Sequence, residues 1–231
     1  MNNGTLTEKI SNQIKKRIIL GEYAVGTQLP NEQVLAESLN VSRTTIREAV
    51  KLLVSKNVLE IERGRGTFVA AVPGLSEDPF GLEFVSADTL KHDLCQFRSM
   101  IEPEVYALAA LNASQEEIES MGLCVAKMKE ICPRAACGSA DECIDVFIDE
   151  ELKFHVLVFK MTHNLIFERM SDIIARSVVI NCTELLYRQT FDFIRYSESH
   201  SHIYEAIKAH DSDAAKKYAS EHAETFAIFM A

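Results

Sequence analysis

The sequence predicts a mainly α chain in two parts: a small N-terminal unit of three helices closed by a β-hairpin, then a larger all-helical bundle. Three observations carry that expectation. Residues 1–72 pass from a helical apolar period to a strand period through glycine-containing breaks. Beyond residue 88 the helical period persists to the end, with only short polar or Pro/Gly breaks. The charge divides at the same place: residues 1–72 hold ten Lys+Arg against seven Asp+Glu, the remainder fourteen against twenty-seven. The overall charge of −10 thus conceals a basic module on an acidic body, an asymmetry that points to a nucleic-acid partner.

The elements of the basic module follow in order. Leu6, Ile10, Ile14 and Ile18 recur every four residues and predict a first helix, with Lys9, Lys15, Lys16 and Arg17 outside its stripe. "GEYAVGTQLP" breaks it. Asn31 can cap a second helix whose apolar positions are Val34, Leu35 and Leu39. In "LNVS" Asn40 can take the left-handed conformation that ends a helix. Ser42 then caps a third helix, "RTTIREAVKLLVSK", with Ile46, Ala49, Val50, Leu53 and Val54 inward. Two helices across so short a turn form a helix-turn-helix, whose second helix enters the DNA major groove by its N-terminal end. That end carries Ser42, Arg43, Thr44, Thr45 and Arg47, hydroxyls and guanidinium groups suited to phosphates and base edges. "VLEIERGRGTFVAA" follows as strand, turn and strand, with Arg63, Gly64, Arg65 and Gly66 at the tip of a basic wing. Taken singly each motif also suits an ordinary solvated surface; the ordered combination is the specific signal.

Residues 73–88 carry prolines and glycines without a sustained period and read as a linker, leaving 89–231 as the helical domain. Helices are expected over 88–112, 114–131, 140–161, 163–187, 189–209 and 212–230. Ser114 and Glu117 form a capping box, and "THN" and "HDSD" supply later breaks. About six helices of this length enclose a core as a bundle.

The last helix pair turns about Asp211, 11 residues after His200 and 11 before His222. At about 1.5 Å per residue, an antiparallel hairpin brings both histidines to one level. Glu151 and His155, four residues apart, share a face of an earlier helix. Together they offer one carboxylate and three imidazoles, a set suited to Zn²⁺, Ni²⁺ or Mn²⁺. Spacing alone leaves this reading level with ordinary hydrogen-bonded histidines, the role assigned to His92, His163, His202 and His210. The six cysteines contain no CxxC pair and read as reduced, mostly buried thiols; Cys132, Cys137 and Cys143 at spacings of five and six match no common zinc site. No apolar run is long enough to span a membrane, and "MNNGTLTEKI" has no apolar signal region, so a cytoplasmic protein is expected.

"LPNEQVLAESLNVSRTTIREAVKLLVSKNVLEIERGRGTFV" closely resembles the winged-helix domain of GntR-family transcription regulators over its full length. The resemblance implies DNA contacts by Arg43, Thr44, Thr45 and Arg47 and by Arg63 and Gly64 of the wing. It departs at Gln33, where many members carry a DNA-contacting arginine; a glutamine can still hydrogen-bond adenine, so the operator differs in its bases while the fold does not. "FRSMIEPEVYALAA", "EELKFHVLVFKMTHN" and "SHSHIYEAIKAHDSDAAKKYASEHAE" resemble the FadR-type (FCD) effector domain, an all-helical bundle. Many of its members hold a divalent metal through an aspartate, a histidine four residues later and two histidines of the final helix pair. Here those positions are Glu151, His155, His200 and His222, with His200 preferred to His202 by its distance from the Ala-Ile pair. Glutamate replaces aspartate, so its rotamer or its mode of binding must differ. Arg98, four residues before Glu102, matches an arginine that can hold an effector carboxylate; an intrahelical ion pair is its ordinary role. Asn164 matches a polar position lining the same cavity, with helix capping as the alternative.

The function expected is that of a ligand-responsive transcription regulator, read as a repressor. It would bind palindromic double-stranded operator DNA as a homodimer and sense a small organic acid through a bound divalent metal. The alternatives are a metal-dependent hydrolase fused to a DNA-binding module, for which no general base, nucleophile or phosphate loop stands out, a regulator sensing metal alone, and an acyl-CoA sensor, which would leave the three histidines without a role.

Overall fold

Thr5 starts the first helix with a reciprocal cap: its hydroxyl accepts from the Glu8 N–H, and Glu8 accepts from the Thr5 N–H. The structure is a computed structural model describing residues 5–75, 78, 80–136, 141–186 and 192–230. It divides into two units, Met1–Phe84 and Val85–Ala231.

In the first unit α1 spans Leu6–Ile19, α2 Glu32–Leu39 and α3 Arg43–Val54. Asn31 and Ser42 cap α2 and α3 by accepting from the N–H groups of Val34 and Thr45. Asn40 ends α2 in the left-handed region at φ 52°. The α3 stripe is buried at Ile46, Ala49, Val50 and Leu53, which meet Ile10, Ile14 and Leu35 in one core. The outer members of the expected stripes are not: Leu6 and Val34 are exposed, and Ile18, Leu39 and Val54 only partly covered. Strands β1 (Leu59–Glu62) and β2 (Gly66–Val69) pair antiparallel, from Leu59 opposite Val69 to Glu62 opposite Gly66. The chain before α2 adds a short third edge, with Leu29 N–H donating to the Thr67 carbonyl at 2.8 Å and Val69 N–H to that of Thr27 at 2.9 Å. Leu29, Leu59 and Val69 thereby seal the core.

The second unit contains α4 (Ala87–Asn112), α5 (Gln115–Ala136), α6 (Asp141–Met161), α7 (Leu165–Leu186), α8 (Phe193–Lys208) and α9 (Ser212–Met230). A 3-10 turn at Leu82–Phe84 and the Ser86 cap of α4 fall inside the stretch expected to be linker. The capping box at Ser114 and Glu117 forms, and the later turns place His163 and His210 at φ 50° and 54°. Helix α5 runs past Pro133 instead of stopping at 131, as α4 runs past Pro103. A proline costs a helix one backbone hydrogen bond and bends it without obliging it to end. Helix α8 starts only at Phe193, because Asp192 caps it by accepting from Arg195 N–H.

Helix α4 lies against α9 and α6, α5 against α6 and α8, and α8 against α9. Their shared core is rich in large side chains, among them Tyr106, Met121, Met128, Phe147, Phe154 and Phe159. The small residues Ala206 of α8 and Ala215 and Ala219 of α9 are buried in the same core. Cys95, Cys124 and Cys143 are free thiols, half-buried rather than buried; Cys95 and Cys143 pack against this core, and burial together with Glu150 pushes the Cys124 thiol up to about 11. The side chains of Cys132 and Cys182, and all of Cys137, lie outside the described residues. Among the described residues no helix is long and apolar enough to cross a membrane.

Candidate metal centre and DNA-reading surface

Charged and imidazole side chains are seldom fully buried, yet Arg98, Glu102, Glu151, His155, His200 and His222 all are, inside the helical unit. Helix α6 supplies Glu151 and His155 one turn apart, α8 supplies His200 and α9 His222. The α8–α9 turn returns the chain so that the His200 and His222 rings lie 4.4 Å apart, centre to centre. One potential ligand atom from each of the four residues lies within 4.8 Å of all the others. Glu151 Oε2 is 2.7 Å from His200 Nε2, and Oε1 is 3.0 Å from His155 Nε2. Ligands about 2.1 Å from a common ion sit roughly 3.0–3.4 Å from one another, so the closest pairs already match and the widest spacing would have to close by about 1.4 Å.

Each ring is oriented through its other nitrogen. Nδ1 of His200 donates to the Tyr196 carbonyl at 3.0 Å, Nδ1 of His155 meets the Tyr106 hydroxyl at 2.5 Å, and Nδ1 of His222 meets the Ser199 hydroxyl at 2.9 Å. That arrangement turns Nε2 of each ring toward a shared centre, as partners behind metal-binding imidazoles do, although Arg98 also reaches Nε2 of His155. Tyr196 also donates its phenol proton to Glu151 Oε1 at 2.5 Å.

Helix α4 closes the group with Arg98, Glu102 and Tyr106 at four-residue intervals. Arg98 Nε donates to Glu102 Oε1 at 2.6 Å, and Nη2 lies 3.1 Å from His155 Nε2. Arg98 therefore makes both the ion pair and the contact with the cluster.

The electrostatics of the group conflict without a further cation. Burial alone would raise the Glu151 carboxyl, but His200 and His155 outweigh it and hold the group well below the usual carboxylate range. Burial, then neighbouring His200 and His155, push His222 well below 6.5; burial, then Arg98, lower His155. The carboxylate leans on imidazole charge that burial withholds. The directions point to ionised Glu151 beside neutral His155 and His222: the facing imidazoles outweigh desolvation at the carboxyl, while desolvation is the largest influence on both rings. A carboxylate among neutral imidazoles is the donor set of a divalent cation.

The remaining histidines take ordinary roles. His163 meets Glu117 at the surface, His92 meets Asp93, His202 stacks on Tyr218, and His210 Nδ1 lies 2.7 Å from the Ala110 carbonyl. Asn164 is exposed, and its carboxamide oxygen accepts from Ile166 N–H at 2.9 Å. The sequence offered two roles for Asn164; the structure gives it capping at the start of α7 and does not bring it to the buried cluster, because the α6–α7 turn carries it to the surface.

On the first unit, Arg43 and Thr44 stand exposed at the start of α3 while Thr45 is half-buried. The Ser42 hydroxyl caps the helix and lies 2.9 Å from that of Thr45. Arg47 is held bidentately by Glu32 at 2.9 and 3.1 Å, and this bond lowers the Glu32 carboxyl. Gln33 donates to Glu37. Arg63, Gly64 and Arg65 are exposed at the wing tip, where Gly64 has φ 75°. Arg65 pairs with Glu62 and lies over the Phe68 ring. Gly66 sits at φ 129°, a backbone conformation that side chains rarely adopt, and a Cβ there would also displace the flexible end of Gln28, whose amide nitrogen donates to the Arg65 carbonyl. A cleft between α3 and the wing is lined by Glu32, Arg47, Arg63 and Arg65.

Sequence reasoning missed Tyr106, Tyr196, Ser199 and Glu32. The signal for the two tyrosines was present: Tyr106 follows Glu102, and Tyr196 precedes His200, by the same four residues that join Glu151 to His155.

Two family models match the chain: "Bacterial regulatory proteins, gntR family" over residues 6–69 and "FCD domain" over residues 93–225. The Uxu operon transcriptional regulator of Escherichia coli K12 is 29% identical over 157 residues, 68% of this chain but only 58% of that protein. From the same organism, the galactonate operon transcriptional repressor is 23% identical over 92% of this chain and 91% of its own length. The Glc operon transcriptional activator is 26% identical over 95% and 87%. A solved structure, Streptococcus agalactiae GntR, superposes with a TM-score of 0.75 at 28% identity, covering 95% of this chain and 98% of that one. With a winged helix-turn-helix matched at one end and an FCD domain over more than half of its length, the chain belongs to the FCD-containing branch of the gntR family of bacterial transcription regulators.

Proposed function

We propose that this regulator acts as a repressor, binding a palindromic operator as a homodimer and responding to a small carboxylate through a divalent metal held by Glu151, His155, His200 and His222. The observation that carries the metal reading is the buried convergence of four ligand atoms within 4.8 Å, with each imidazole backed at Nδ1. Zn²⁺, Ni²⁺ and Mn²⁺ all suit a set of three nitrogens and one oxygen. When bound, the ion supplies a Lewis-acidic position to which an oxygen ligand can add. Arg98, against His155, is the cation that would hold the effector's carboxylate. One relative is named for the galactonate operon, and galactonate is a hydroxy carboxylate, which fits that pairing.

Residues 1–72 are the reading head, the stretch from 73 to the Ser86 cap the linker and the helices from Ala87 onward the sensor. Arg43 and Arg47 present guanidinium groups to base edges, Thr44 and Thr45 hydroxyls to the backbone, and Gln33 to a base at the flank. Arg63, Gly64 and Arg65 approach the neighbouring groove from the wing, and Ser42 fixes the start of α3. A two-fold protein matches a two-fold site. An effector shifts DNA affinity only through unequal binding to two states of the protein.

The test uses the full chain and a duplex selected from random sequence. We expect about one ion per chain, a change in duplex affinity with at least one hydroxy carboxylate, and loss of that response after chelation. His200→Ala should lose the ion while still binding the selected duplex. A protein that retains no ion and ignores every acid overturns the reading; one that responds to metal without any acid is a metal sensor.

A further inference from the structure

Glutamate stands where the resemblance expects aspartate, and the structure shows what manages the extra methylene. Tyr196, 3% exposed, lies one turn before His200 on α8. Its phenol donates to Glu151 Oε1 at 2.5 Å while its backbone carbonyl accepts from His200 Nδ1 at 3.0 Å. One residue thus grips two neighbouring members of the cluster, and the other carboxylate oxygen, Oε2, lies 2.7 Å from His200 Nε2. The phenol ring is fixed in turn by Phe147, 6.1 Å away, and by the rings of His200 and His222 at 4.9 and 5.2 Å.

We propose that Tyr196 is a positioning residue of the metal centre that engages Glu151 Oε1 and so commits this glutamate to bind an ion through Oε2 alone. The proposal rests on the metal reading above. A hydrogen bond from a phenol to an ionised carboxylate in a dry site is of the strong, short kind. It takes up one lone pair of Oε1, an oxygen that also faces His155 Nε2 at 3.0 Å, and so weighs against a bidentate carboxylate; it also freezes a side chain with one more torsion than aspartate. Partners behind the ligands are worth about 10- to 100-fold in metal affinity. An aspartate here would fall short by one C–C bond, about 1.5 Å, and leave the reach of the phenol.

Co²⁺ binding to the full chain, read by its visible spectrum, provides the test. Tyr196→Phe keeps the ring and should bind Co²⁺ about 10- to 100-fold more weakly. Its spectrum should be altered and less intense, because the released second oxygen raises the coordination number. Glu151→Asp should also weaken binding, and the double variant should be no weaker than the poorer single variant, since both remove the same contact. A Tyr196→Phe protein with the wild-type affinity and spectrum overturns the proposal, as do losses that multiply in the double variant. If Tyr196→Phe does not fold, the Glu151→Asp spectrum carries the test: a wild-type spectrum there overturns the proposal. A wild-type protein that takes up no Co²⁺ overturns the metal reading itself, which separates the two failures.

Discussion

The two units each contain an arginine held by a glutamate, and the pairs differ chiefly in their surroundings. Arg47 and Glu32 meet at 2.9 Å with side chains 54% and 34% exposed; Arg98 and Glu102 meet at 2.6 Å with 3% and 0%. In water the first pair adds little to folding, because solvent screens it and two side chains must be ordered to make it. What it provides is direction: two donors of Arg47 face Glu32, and the rest of the guanidinium faces outward from α3. The second pair has been taken out of water, which is costly, and it holds only while both partners stay. An equivalent contact therefore orients an exposed guanidinium on the winged-helix unit and is a structural commitment beside the buried candidate metal cluster.

The sharpest way to break the comparison is to remove each glutamate. Glu102→Ala leaves Arg98 buried beside His155 and should destabilise the helical unit by about 3–5 kcal/mol, read as a lowered urea midpoint. Glu32→Ala should leave that midpoint in place and alter only DNA selectivity, measured against a panel of duplexes. A smaller effect is expected at Arg43, exposed at the start of α3. Arg43→Ala should weaken the selected duplex by about 1–3 kcal/mol without changing the melting temperature. The most gradual effect is on pH. His155 and His222 have folded-state values below their ordinary 6.5, so the unfolded chain binds more protons as the pH falls. Stability of the metal-free protein should be fully present above about 6.5 and decline as the pH drops below it towards the folded-state values, while the isolated first unit should not share that window. A metal-free chain whose melting temperature is flat from pH 7 to 5 would contradict neutral, buried imidazoles.

Much of this was legible because it is local. Asn31, Ser42 and Ser114 announce helix starts by their own side chains, and Asn40 marks the left-handed end of α2. The histidine hairpin was legible because helical rise is constant, so equal distances from Asp211 put His200 and His222 level. What stayed hidden depends on packing between elements. Nothing in the spacing of Glu32 and Arg47, fifteen residues apart across the turn, reveals that they meet. Leu6 and Val34 obey the helical period yet stay exposed, since a period fixes a face and not how far a neighbour covers it. Tyr106 and Tyr196 were overlooked for a different reason: a buried aromatic at helical spacing usually means core, and only the facing carboxylate and imidazole show that its hydroxyl has work.

Helix α4 has a mechanical consequence. It is the first helix of the helical unit, starting at Ala87, and the same rod carries Arg98, Glu102 and Tyr106 against the cluster. Pro103 sits among those three and lacks the N–H that would tie it to the Ser99 carbonyl, which makes it the natural fulcrum of the rod. From Pro103 back to Ala87 is a lever arm of about 24 Å at 1.5 Å per residue. A tilt of about 10° at Pro103 would displace the Ala87 end by about 4 Å while Tyr106 on the short arm moved by less than 1 Å.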